Sequence, residues 1–121
     1  MIFIFPAGAV SHLQLSAGRV CDPLWNPTAA RLLRMAGCPV IPMHFGGGNS
    51  SIFQTLGLLH SRMRTVMLSH ELLNKRGRAF RLTVGRPIPA SALDGDPVEV
   101  TDRLRAHVEH GLVADPDRTF A

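Results

Sequence analysis

Residues Ile2 to Phe5 read Ile-Phe-Ile-Phe and run directly into Pro6-Ala7-Gly8. Four consecutive large apolar residues leave no polar face. A strand built from them needs cover on both sides, as in the middle of a parallel sheet. Sheets of that kind bind ligands just beyond the carboxyl ends of their strands, where Pro6, Gly8 and Ser11 would lie. The opening therefore constrains the chain to a layered α/β fold with a ligand loop near its start.

The pattern downstream extends this expectation. A helix is predicted from Pro27 to Ala36, with Asn26 as N-cap, Pro27 first and Gly37 as the stop. Its apolar stripe is Ala29, Leu32, Leu33 and Ala36. Pro39 to Phe45 reads as a second apolar strand, ending in Gly46-Gly47-Gly48-Asn49-Ser50. Helical segments follow over 51–59 and 62–75. In the third strand Phe80, Leu82 and Val84 alternate with Arg81 and Thr83, which places it near an edge. The last helix opens on a capping box, with Asp96 as cap, Pro97 first and Glu99 third. Val100, Leu104, Val108 and Leu112 form its inner face, and Gly111 marks its end. The order β-α-β-α-α-β-α predicts an α/β fold with a small, mostly parallel sheet and covering helices. Three strands are few for such a sheet, so the simplest reading is an incomplete domain lacking a preceding segment.

The chain has 121 residues, enough for one domain. Its net charge is +4, and the distribution says more than the sum. Seven basic residues face one acid, Glu71, between Arg62 and Arg86. The bland reading is a solvated face. The functional one is attraction to phosphate, on an anionic membrane surface, a lipid headgroup or a nucleotide tail. No aromatic residues interleave these bases, which argues against nucleic acid. Cys21 and Cys38 have no metal-ligand spacing and suggest reduced thiols in a cytoplasmic setting. No run approaches the ~18–20 apolar residues of a membrane span, and no secretory signal is evident. Any membrane contact is expected from the side.

Taken singly, the candidate sites are weak. The Gly46 to Ser50 loop follows a strand and opens a helix, so its amides suit an anion, but it lacks a P-loop ending and a plain connection fits as well. His70 shares a helical face with Met63, Val66 and Met67, as a packed histidine would. His12, His44 and His60 lie near loops without an evident carboxylate partner. His110 and Asp115 form an H-x4-D spacing, the arrangement of a base oriented by a carboxylate. With six histidines and six aspartates in the chain, two fixed letters arise readily by chance, so the spacing is read as coincidence.

Several segments together resemble one family. They are Phe5-Pro6-Ala7-Gly8, Trp25, Pro39-Val40-Ile41-Pro42, Asn49-Ser50, Arg64-Thr65, Glu71 to Gly77 and Val84-Gly85-Arg86-Pro87-Ile88. In order and spacing they are similar to the glycerolipid (lysophosphatidic acid) acyltransferase superfamily, in its bacterial hemolysin-like branch, over residues 2 to 112. The resemblance implies transfer of a fatty acyl group from acyl-CoA or acyl carrier protein to a lipid hydroxyl, with no other cofactor and no metal. It implies a peripheral location on the inner face of the cell membrane. The family's catalytic H-x4-D dyad lies upstream of its Phe-Pro-Gly block, so the resemblance supplies no catalytic residue here. It makes residues 1–113 the C-terminal part of the domain and 114–121 a flexible tail. Phe5, Pro6, Gly8 and Ser11 match the acceptor-binding block, and Pro42 matches a proline shaping the acyl-site wall. Ala7 stands where most of the superfamily has Glu, although this branch often has Ala there. Ala9 replaces the Glu usual in this branch, and Val10 the Arg of the wider superfamily. These departures remove polar groups that would hold an acceptor.

The expected partners are therefore an acyl-thioester donor, a lipid acceptor, an anionic membrane surface and the missing N-terminal part of the same domain. A non-enzymatic phosphate- or lipid-binding module is the alternative. A poorly folded gene fragment is the third possibility.

Overall fold

A computed structural model describes residues 2–15, 18–50, 53–55 and 61–121, with the backbone alone described for 61–64. The chain divides into two compact units. The first is Met1–Gly8, Leu24–Gly46 and Arg81–Ala121, and the second is Ala9–Pro23 and Gly47–Phe80.

In the first unit, helix α1 (Thr28–Ala36) begins where expected. The Asn26 side chain accepts from the Thr28 N–H at 2.9 Å. Gly37 closes the helix in the left-handed region, at φ 59°, and its N–H donates to the Arg34 carbonyl at 3.1 Å. The buried face is rotated from the predicted stripe. Ala29 and Ala30 are buried and Leu33 partly so, while Leu32 and Ala36 are exposed. Small side chains let α1 approach its neighbours closely, which the count of large residues did not anticipate.

The expected second and third strands pair with each other. Strand β3 (Met43–Phe45) runs antiparallel to β4 (Leu82–Val84), with Met43 opposite Val84 and Phe45 opposite Leu82. The pairing continues past Pro42, whose carbonyl accepts from Gly85 N–H at 2.9 Å, to Val40 and Ile88, which exchange bonds of 2.9 and 2.7 Å. Between Pro42 and Val40 the β4 arm carries one residue more than its partner, a bulge at the place where proline cannot donate. Thr83 is half-buried while Leu82 and Val84 are exposed, the opposite of the facing that alternation suggested.

After a 3₁₀ turn (Ala90–Leu93), helix α3 (Pro97–Ala106) starts on its predicted cap. The Asp96 carboxylate accepts from Val98 and Glu99 N–H at 2.9 and 3.2 Å. Gly111 does not end the helix. It closes a π turn (His107–Gly111), and one more helical turn, α4 (Leu112–Ala114), follows. Ala30, Ile88, Leu93, Val100 and Leu104 make the core, with Trp25, Leu33, Val40 and Phe120 packed against it. Phe120 belongs to the segment read as a flexible tail. Its ring instead meets the core cluster, an anchor that the polar composition of 114–119 concealed.

In the second unit, β1 (His12–Gln14) pairs antiparallel with β2 (Arg19–Cys21). Helix α2 (Ser61–Asn74) follows the loop that ends at Ser50. The predicted helix 51–59 lies mostly outside the described residues, of which 53–55 are helical. Both sheets are two-stranded and antiparallel. Among the described residues no strand pairs with Ile2 to Phe5, and Ile2, Phe3 and Phe5 are 85%, 62% and 73% exposed.

Candidate functional site

In the first unit the Phe5-Pro6-Ala7-Gly8 segment makes a tight turn. Gly8 N–H donates to the Phe5 carbonyl at 3.1 Å, and Gly8 sits at φ 63°, where a side chain would be strained. The Pro6 carbonyl accepts from Asn26 N–H at 3.0 Å, which ties the turn to the approach of α1. Beside Asn26, the Trp25 indole N–H is buried with no acceptor among the described residues. Pro42 is buried against Gly85 and Leu112. A Cβ placed on Gly85 would come within 2.6 Å of a Leu112 methyl and 3.0 Å of the Pro42 ring, so any larger residue there forces these neighbours to shift.

Ser11, the remaining matched residue, lies in the second unit, where its hydroxyl donates to the Asp22 carboxylate. The same unit contains an arrangement that sequence reasoning missed. The Ser50 hydroxyl and N–H both donate to the Glu71 carboxylate, the latter at 3.0 Å. Ser50 Oγ accepts in turn from Phe53 N–H at 3.2 Å, and Lys75 donates to the Asn49 side chain at 2.6 Å. Glu71 is 3% exposed. The Ser50 hydroxyl bond, aided by the Ser50 N–H, Lys75 and His70, holds its carboxyl below the usual range against the opposing effect of burial. A carboxylate held ionised in this way is a weak base, and among the described residues no imidazole joins the pair to activate Ser50 as a nucleophile. Glu71 also fills the place an anion would take at the Ser50 amide. The loop is a clamp rather than a phosphate cradle. The two halves of this clamp, Asn49-Ser50 and Glu71 to Lys75, were visible as separate motifs, but nothing in the sequence joined them.

Among the described residues the histidines assemble no base. His70 is exposed, not packed. His12 Nδ1 contacts the Val10 carbonyl at 3.2 Å, His44 is half-buried on β3, and His60 lies outside the described residues. His110 and Asp115 are both exposed and share no hydrogen bond, and the Asp115 carboxylate accepts from Asp117 N–H at 2.9 Å. Among the described residues no cluster of histidine, cysteine and carboxylate groups suits a metal, and no helix is long and apolar enough to cross a membrane.

Comparison with known proteins gives two curated relatives with one name. A lyso-glycine lipid O-acyltransferase of Phocaeicola vulgatus is 32% identical over 99 residues, covering 77% of this chain and 35% of the relative. The protein of the same name from Bacteroides thetaiotaomicron is 31% identical over 99 residues, covering 77% and 36%. The chain is similar, over most of its own length, to these lipid O-acyltransferases. It spans about a third of the length of these relatives. No protein-family model matches the chain, and no solved structure matches it. The similarity covers 77% of this chain, whereas no described pair of side chains supplies an acyltransferase base.

Proposed function

We propose that this chain is the C-terminal part of a lipid acyltransferase domain of the hemolysin-like bacterial branch. In this reading the complete domain moves a fatty acyl group from acyl-CoA or acyl carrier protein to the hydroxyl of a lyso-lipid. The names of its relatives suggest an acceptor of the lyso-glycine lipid type. The Phe5–Gly8 turn contributes to the acceptor side and Pro42 to the acyl wall, while a histidine–aspartate dyad comes from a preceding segment. The observation that carries the proposal is similarity across 77% of this chain at about a third of the relatives' length. The exposed Ile2, Phe3 and Phe5 support it, because such a segment suits a strand in a larger, mostly parallel sheet.

The test is acyl transfer to a lyso-glycine lipid, followed by mass spectrometry. The 121-residue chain alone gives no product. The chain joined to the segment encoded directly upstream gives product, and loses it when that segment's dyad histidine is replaced. Product from the chain alone that disappears in His110→Ala would overturn the assignment of the dyad. No transfer by the joined protein would sink the acyltransferase reading.

One observation favours a membrane-binding role as the second reading. In the second unit Leu72, Leu73 and Phe80 are exposed beside exposed Lys75, Arg76 and Arg78. Apolar and basic groups so placed suit the inner face of an anionic membrane. Co-sedimentation with vesicles containing phosphatidylserine, weakening with added salt, is the expected result. Equal binding to neutral vesicles counts against this reading.

A further inference from the structure

The last turns of the first unit enclose a groove of about 270 Å³ between α3, the π turn and residues 118–121. It is lined by Arg103, His107, His110, Arg118, Thr119 and Phe120, with Ala121 at its rim, and by no acidic side chain. We infer that this groove is a binding site for a phosphate group, free or as a monoester, held by Arg118 and His107. The inference is independent of the acyltransferase reading.

Three observations carry it. The first is the sign of the lining. Of the acids that flank the groove in sequence, Glu109 pairs with Arg105 at 2.9 Å, Asp117 with Arg86 at 3.5 Å, and Asp115 caps its own turn, while Asp102 is exposed and is not among the lining residues. Arg118 has no carboxylate partner among the described residues. The second is His107, which is 7% exposed and whose Nε2 is buried with no hydrogen-bond partner among the described residues. A buried polar atom left unmatched is destabilising, and an acceptor oxygen would offset that cost. The third is rigidity. Phe120 packs edge-on against the imidazole, with ring centroids 5.4 Å apart, and the Arg103 guanidinium lies 4.8 Å from the Phe120 ring centre. Arg103 Nε donates to a terminal oxygen of Ala121 at 3.2 Å and so offsets that negative charge, leaving Arg118 as the uncommitted fork.

The donor set decides the ligand class. Guanidinium groups only donate, so the lining repels metal ions and attracts oxyanions. A phosphate offers three or four acceptor oxygens to a guanidinium, two imidazoles and a hydroxyl, where a carboxylate offers two. Burial, with Arg118 nearby, holds the His107 pKa below its ordinary value, and an anion in the groove reverses the second influence.

The experiment is a titration with inorganic phosphate, followed on the histidine ring signals by NMR. Glycerol 3-phosphate and a nucleoside monophosphate serve as separate arms to tell a lipid headgroup from a nucleotide. Phosphate is expected to move the His107 signals and raise its titration midpoint. Arg118→Gln should weaken binding about tenfold or more, because one charge-assisted fork is removed. Arg19→Gln, which removes an exposed charge in the other unit, should leave it unchanged. Arg118 is exposed, so its replacement leaves the fold intact, and an unaltered Trp25 emission spectrum checks this. Equal weakening by both variants, or phosphate binding that leaves His107 unmoved, would overturn the site.

Discussion

The two units are held together by different chemistry. The first buries an apolar cluster of Ala30, Ile88, Leu93, Val100 and Leu104, drawn from α1, the β3–β4 ribbon, the 3₁₀ turn and α3. Among the described residues of the second, Phe53 and Glu71 are the buried ones, and Glu71 reaches its place through Ser50. An apolar core loses stability in proportion to the volume removed and tolerates a change of pH. A polar clamp depends on every donor meeting its acceptor, and on one carboxyl staying ionised. The same chain thus contains one region sensitive to cavities and another sensitive to hydrogen bonding.

The strongest way to test this contrast is Ile88→Ala. Ile88 is 1% exposed and also closes the ribbon with Val40. A loss of about 2–5 kcal/mol is expected for a buried isoleucine that cannot be refilled. Trp25, the single tryptophan, packs against this cluster, so the denaturation midpoint read by its fluorescence should fall. Gly85→Ala comes next, at about 1–3 kcal/mol, because the new methyl overlaps Leu112 and the Pro42 ring. Gly85→Ala combined with Leu112→Val should recover part of that loss, since the overlapping methyl then has more room. No recovery would mean that the Pro42 contact dominates.

Local signals in the sequence proved as informative as their range allows. Asp96-Pro97-Val98-Glu99 and Gly37 placed helix ends because caps act within a few residues, and Val100, Leu104 and Leu112 were readable from period alone. The π turn was not legible, since one inserted residue leaves no mark in a hydrophobic pattern. The antiparallel ribbon was also hidden. Strands at 39–45 and 80–84 announce themselves, but their direction depends on what the intervening residues do, and periodicity has no memory across that distance. Of the candidate site, the Phe5–Gly8 turn was plain from Pro6 and Gly8. The Ser50–Glu71 clamp and the groove around His107 needed a fold to bring their parts together.

In the second unit Glu71→Gln should cost about 1–3 kcal/mol. The amide still accepts one hydrogen bond but no longer offers two carboxylate oxygens to Ser50. Hydrogen exchange at the Ser50 and Phe53 amides is the measurement. Their protection should drop well before that of Val100 in α3. Equal loss at all three positions would erase the contrast between the units.

The smallest effect is also the one that separates the two regions by pH. Glu71 has a folded pKa below its ordinary value of 4.5, so the unfolded chain takes up its proton first on acidification. Its contribution is complete above that value and is lost as pH falls through the lower folded pKa. His107 is likewise depressed, from 6.5, by burial first and Arg118 second. Being a base, it stays neutral in the fold while the unfolded chain becomes charged, so stability declines as pH drops below 6.5 and levels off beneath the folded pKa. The first unit should therefore begin to weaken in mildly acid solution, by no more than one proton's slope, while the clamp keeps its full contribution until the carboxyl titrates. Trp25 fluorescence should register the early loss and Ser50 amide exchange the late one. His107→Gln should flatten the early slope without moving the late one. If that variant leaves the mildly acid slope in place, another group controls it and the pH contrast between the units fails.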